Sequence, residues 1–206
     1  MNKNIKKALI ASLVIASTFS AFSGAAELPQ AGTFNVGAQV SFGYIDHKSF
    51  SNDEDGTAQV MFYVDYYFKP GWAVEVGVNN GTNVQDWICD RSDIDTDDDY
   101  CTVGEESDSD TFESDLDFTN LILAVRFDKQ LSTNNFVYGK LGAQYFDYEM
   151  TDNNTVFEED TGTGIYSELG WKYQWSNNLN VNVGYQHIAM GDLTTSSVTS
   201  GIGYRF

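Results

Sequence analysis

Apolar and polar side chains alternate along this chain in eight stretches separated by turn-forming residues. The first, Thr33 to Ile45, sets Phe34, Val36, Ala38, Val40, Phe42 and Tyr44 against Gly37, Gln39, Ser41 and Gly43. An extended chain points successive side chains to opposite faces, so each stretch predicts a strand with one apolar face. The second runs from Thr57 to Phe68, and Lys69-Pro70-Gly71 turns it into the third, Trp72 to Asn80. Proline there fixes φ for a reversal and has no N–H to lose from a ladder. The others are Asp117 to Phe127, Phe136 to Tyr148, Thr163 to Trp175, Leu179 to Ala189, and a last strand from about Thr195 to Phe206.

The connections alternate in length. Those after the odd strands run about 11, 36, 14 and 5 residues, and those after the even strands about 3, 8 and 3. Short turns at one end and longer loops at the other predict an all-β fold, an eight-stranded antiparallel up-and-down transmembrane β-barrel with periplasmic turns and extracellular loops. The apolar face then meets lipid. Phe68, Trp72, Phe127, Phe136, Trp175 and Phe206 lie at the short-turn ends, where a belt of aromatic rings would sit at the membrane interface. The rival is a secreted lipocalin-like barrel with its faces exchanged. It is disfavoured because the apolar face carries more bulk than the inside of eight strands can hold.

The two ends agree with export. Lys3, Lys6 and Lys7 precede a mostly apolar stretch from Ala8 to Phe22, and Gly24-Ala25-Ala26 supplies small residues, so residues 1–26 read as a signal peptide and 27–206 as the barrel domain. The apolar stretch is short of the ~20 residues a membrane helix needs. Removing the leader leaves 8 basic against 30 acidic residues, a balance of −22. Such a chain is unsuited to nucleic acid, which is bound through Lys and Arg on phosphates.

On the inward face the ionisable residues are Asp65, Glu75, Arg126, Lys140, Glu168, Lys172 and Arg205. All but Glu168 fall near the periplasmic edge, and they are expected to pair into one layer that plugs the lumen, since buried charges persist when paired. The rival reading is a charge-lined passage for ions or small solutes. A catalytic carboxylate pair at Asp65 and Glu75 would lack substrate access in a closed lumen.

The second outer loop, residues 81–116, departs from a minimal barrel. From residue 81 to Asp117 there are fourteen acids and one base, Arg91. The sequence's two cysteines, Cys89 and Cys101, lie here, and in an oxidising compartment they are expected to form a disulfide. Between them Asp93, Asp95, Asp97 and Asp99 repeat at every second position, as carboxylates do in calcium loops. Asp98 stands where such loops have Gly, and Gly104 where they have Glu, so a solvated acidic loop is the competing reading. No cofactor is expected apart from Ca2+ on this loop.

The ending Gly203-Tyr204-Arg205-Phe206, with the signal peptide and eight alternating strands, resembles the small outer-membrane barrels of the OmpA transmembrane domain and OmpX type, the porin-family outer-membrane β-barrel proteins. The resemblance spans 27–206 and implies location in the outer membrane of a Gram-negative bacterium. It implies that Tyr204 and Phe206 form a C-terminal assembly signal read by the barrel assembly machinery after delivery by periplasmic chaperones, and that lipid and lipopolysaccharide surround the barrel. No peptidoglycan-binding domain follows Phe206, so wall anchoring is not expected. Barrel lipid A deacylases carry Ser two positions after a lipid-facing His; here Ala189 follows His187. Palmitoyl-transferring barrels are less similar, although His47 and Ser49 share the first outer loop. The chain is therefore not expected to be an enzyme. The function expected is surface interaction, adhesion or envelope integrity through the loops, with host surface molecules among the partners; the alternatives are the narrow passage and lipid A modification.

Overall fold

A computed structural model describes residues 26–47, 55–84, 87–90, 100–103, 111–152 and 155–206. Among them the strands are β1 (Phe34–His47), β2 (Asp55–Lys69), β3 (Trp72–Asn83), β4 (Trp87–Asp90), β5 (Tyr100–Val103), β6 (Thr111–Ser132), β7 (Asn135–Asp152), β8 (Thr155–Gln174), β9 (Leu179–Met190) and β10 (Leu193–Arg205). Eight of them, β1 to β3 and β6 to β10, pair antiparallel around a closed ring: β3 bonds β6, and β1 bonds β10 from Asn35↔Arg205 to His47↔Leu193. Closure is what lipid requires, because an open edge there leaves backbone groups unsatisfied. The remaining two form a hairpin added to the outward end of β6 through β4.

The predicted faces hold. Phe42, Phe62, Leu123, Leu141, Ile165, Leu169 and Tyr185 point outward and are more than half exposed, whereas Met61, Tyr63, Ile122 and Tyr166 point inward and are buried. An exposed apolar belt all around a closed barrel excludes the lipocalin-like alternative, whose apolar side would be inside. At its periplasmic rim Phe34 packs obliquely on Tyr66 at 5.0 Å and Trp72 on Phe127 at 4.8 Å, while Tyr204 meets Phe206 edge to face at 4.9 Å.

Phe136 corrects the expected belt: it is fully buried in the lumen, with the Lys172 ammonium 5.2 Å from its ring centroid. Its neighbour Val137 takes the outward position, as strict alternation from Leu141 requires. Trp175 is likewise mostly buried, against Tyr173 at 4.9 Å.

Three strands exceed expectation by the most. β6 starts at Thr111, β7 runs to Asp152, and β8 starts at Thr155, so segments assigned to loops continue the sheet. Above the lipid both faces of a strand meet water, and the apolar alternation that marks it in the sequence fades. At the other end β6 runs to Ser132, which replaces the expected connection of about 8 residues by a turn at Thr133 and Asn134.

Candidate functional site

Two regions carry unusual chemistry: the lumen and the sheet raised over it. Around the periplasmic half of the lumen, Arg126 of β6 is fully buried, with Nε 3.0 Å from Asp128 Oδ2, Nη1 3.2 Å from Asp65 Oδ2 and 3.9 Å from Glu75 Oε2. Lys140 of β7 lies 2.9 Å from Glu75 Oε2 and 3.1 Å from Glu168 Oε2, and Lys172 of β8 lies 2.8 Å from Asp128 Oδ1. Six of the seven residues expected in this layer come together.

Tyrosines complete the layer. Tyr67 donates to Asp128 at 2.7 Å, while Tyr138 and Tyr166 donate to the two oxygens of Glu168 at 2.5 and 2.6 Å. The Arg126 guanidinium sits 4.5 Å above the Tyr138 ring, and Lys140 is 4.8 Å from that of Tyr63. Paired charges with hydroxyls on their free lone pairs can stay ionised away from water, and a partner removed leaves the others exposed to that cost.

Two corrections follow. Asp128 belongs to the network, but the sequence places it in a turn; only the extension of β6 to Ser132 gives it an inward face. Arg205 does not join: it is partly exposed at the rim, donating to the Glu27 carbonyl at 2.8 Å and to Asn178 Oδ1 at 3.1 Å. With the Gln174 amide placed so that its oxygen faces the guanidinium, it accepts from Arg205 at 2.9–3.1 Å. The expected balance of three acids and four bases becomes four acids, Asp65, Glu75, Asp128 and Glu168, with three bases, Arg126, Lys140 and Lys172.

Outward of this layer, neutral side chains bridge the lumen: Gln59 donates to Ser197 at 3.1 Å, Asn79 to Gln59 at 2.9 Å, and Ser41 to Gln186 at 3.1 Å. Beyond them the lumen turns apolar. Ile45, Leu116, Phe118, Phe146, Met150, Ile188, Met190 and Leu193 are buried there as one cluster. The sequence hides this second plug, because Leu116, Met150, Met190 and Leu193 fall in segments read as loops, and Ile45, Phe118, Phe146 and Ile188 on faces expected to be polar.

Above the lipid belt the outward residues of β6, β7 and β8 become Asp117, Asp147, Glu149 and Glu159. Register sets Asp117 opposite Glu149 and Glu149 opposite Glu159, a lateral row of like charges on three strands. At about 3.3 Å per residue the overshoot lifts this sheet roughly 20 Å beyond the belt. Among the described residues β9 pairs with β8 only from Tyr166 inward, leaving the outward part of β8 as an edge. Inside the overshoot Tyr148 donates to Glu158 at 3.3 Å; burial, reinforced by the Glu158 and Asp160 carboxylates, raises its hydroxyl pKa.

The register places Cys89 of β4 directly opposite Cys101 of β5. Their side chains lie outside the described residues, as do Asp93, Asp95, Asp97 and Asp99, so the calcium expectation falls there too. Lipid-facing His187 has Nδ1 3.1 Å from Ser196 Oγ on β10, a cross-strand pair the sequence spacing does not show. Tyr204 and Phe206 face outward at the periplasmic rim, and Phe206 N–H donates to the Phe34 carbonyl at 2.8 Å.

The fold is that of several solved outer-membrane proteins. Ail, the attachment invasion locus protein of Yersinia pestis, matches with 14% identity over 86% of this chain and 100% of its own, at a TM-score of 0.56. Neisserial surface protein A matches at 12% identity over 85% and 99%, TM-score 0.61, and OprG of Pseudomonas aeruginosa at 15% over 86% and 97%, TM-score 0.54. No curated protein sequence matches the chain. The profile of the outer membrane protein beta-barrel domain matches residues 10–206, nearly the whole chain, and with the closed ring and its apolar belt this places the protein in that outer-membrane family.

Proposed function

We propose that this barrel is a surface-interaction protein of the outer membrane, acting through the sheet that β6, β7 and β8 raise above the lipid with the β4–β5 hairpin at its side. One observation carries the reading: these strands continue past the lipid belt as paired sheet from Thr119 to Thr111, Phe146 to Asp152 and Gly164 to Thr155. A barrel that only needs to span can stop its strands at the interface.

Charge then selects the partner's chemistry. Ail has been solved with the heparin analogue sucrose octasulfate. Here the raised sheet carries Asp117, Asp147, Glu149 and Glu159, and residues 81–117 hold fourteen acids against one base, so a sulfated polyanion would be repelled. The fitting partner is cationic: a basic protein surface, or divalent cations that in turn hold neighbouring lipopolysaccharide phosphates. Enzymatic lipid modification has no comparable support, since the His187–Ser196 pair shows no carboxylate partner among the described contacts.

The test uses the refolded protein in lipid nanodiscs, with poly-lysine and heparin as probes. Wild type is expected to hold poly-lysine and not heparin, with affinity falling steeply as salt rises. Deleting residues 85–112 should weaken poly-lysine binding at least tenfold. Equal binding by the deletion variant would overturn the reading.

A further inference from the structure

Two peptide bonds satisfy the small-residue rule for leader removal. A cut after Ala26 has Ala26 and Gly24 at the first and third positions before it; a cut after Ala25 has Ala25 and Ser23. Small residues alone admit both, and the folded barrel makes contacts at Ala26 that only the earlier cut preserves.

Ala26 is built into the periplasmic end. It is only 4% exposed. Its N–H donates to the Thr133 carbonyl in the β6–β7 turn at 3.0 Å, and its own carbonyl accepts from Gln130 Nε2 at 2.9 Å. The residues after it continue the attachment. The Glu27 carbonyl accepts from Arg205 of β10 at 2.8 Å, the Pro29 carbonyl from Gly71 N–H in the β2–β3 turn at 3.1 Å, and Gly32 N–H donates to the Tyr67 carbonyl at 2.7 Å. Residues 26–33 thus form a strap across the mouth, and Ala26 is its fastening on the far side.

We infer that the processed bond is Ala25–Ala26, so that the mature chain begins at Ala26 and its new α-ammonium is held by the Thr133 carbonyl. The inference rests on the export reading. Hydrolysis adds water across that bond, leaving a carboxylate on Ala25 and an ammonium on Ala26. The nitrogen that now donates to Thr133 keeps its acceptor and gains a charge, which strengthens the hydrogen bond. A cut one residue later would remove the fastening, strip Gln130 of its Ala26 acceptor, and start the chain on the carboxylate-bearing Glu27.

The experiment is intact-mass measurement and N-terminal sequencing of the full-length precursor after expression and export in a Gram-negative host. A mature chain starting at Ala26 is the expected result. A species lighter by one alanine, starting at Glu27, would overturn the inference, as would any other start. A chain that keeps residues 1–25 would remove the export reading as well.

Ala26→Glu separates the two bonds without relying on a stable barrel, because mass is read on the polypeptide. The substitution puts a charged residue immediately before the later bond but only after the earlier one. Processing is expected to continue, giving a chain that begins with the substituted residue. Accumulation of unprocessed precursor in this variant would show that the later bond is the one used.

Discussion

Lys140 and Glu168 face each other in register on β7 and β8, with Nζ 3.1 Å from Oε2, deep inside a barrel whose outer surface is apolar. Glu168 accepts from Tyr138 and Tyr166, and Lys140 also serves Glu75, so this pair links a ring of charges rather than standing alone. The network works as a fastener across strands that are distant in sequence.

Arg126→Leu is the severest single change expected in the lumen. It leaves Asp65 and Asp128 buried without their guanidinium, and the loss of one partner from such a network costs about 3–5 kcal/mol. Urea titration of the refolded protein, followed by the loss of the fast-migrating unboiled gel band, measures it. Asp147→Asn, on the water-facing overshoot, should move the midpoint by no more than about 0.5 kcal/mol.

Val76 tests the lipid face. It is half exposed at the middle of β3, between Val74 and Val78. Val76→Arg should cost about 2–4 kcal/mol in a bilayer, and an unchanged unfolding midpoint would contradict the position of the belt.

Gly81 leaves the space that the Phe118 ring fills: a Cβ there would lie 2.2 Å from the ring's Cζ. Gly81→Ala is expected to destabilise by about 1–3 kcal/mol through overpacking. Phe118→Leu in the same chain should recover part of that loss, which a double-mutant cycle reads directly. Additive losses would mean that the ring is not the obstacle.

The two plugs forecast an electrically silent barrel. Protein inserted in planar bilayers should give no stepwise current, because ion-paired side chains fill one half of the lumen and the cluster around Phe118, Phe146 and Met190 fills the other. Defined conductance steps would favour the passage reading over surface interaction.

Cys89 and Cys101, opposite in register, are expected to be oxidised in exported protein. Thiol labelling before and after reduction should show no free thiol in the first case and two in the second. By chain-entropy arithmetic the closed loop contributes about 3 kcal/mol to the order of the hairpin. Labelling without reduction would remove the disulfide.

Most of the ring is legible in the sequence wherever lipid imposes it. Phe34 to Tyr44 and Trp72 to Val78 alternate because one face meets hydrocarbon and the other a packed lumen. Where that contrast stops, so does the signal. Glu113 and Asp115 read as loop although they lie on β6, and the same holds for Glu158 and Asp160 on β8. Asp128 and Phe136 show a different gap: each flanks a presumed turn, and a single residue's facing cannot be assigned until the pairing register is known. Arg205 has the inward parity of its strand but the height of the rim, and parity carries no information on height.

The pairing of β1 with β10 also sets an order of events in time. β1 is among the first strands to be synthesised and its second neighbour the last, so during translocation one flank of β1 has no partner from its own chain. Until Leu193 to Arg205 arrive, the half-built sheet carries two raw margins beside an apolar belt, and in that state it cannot rest in hydrocarbon. The chain must therefore be held, soluble and unclosed, for as long as its making takes. For this protein the hazardous interval is the wait before the seam forms, and a substitution that slows β10 would be felt as turnover in the periplasm rather than as a weaker barrel.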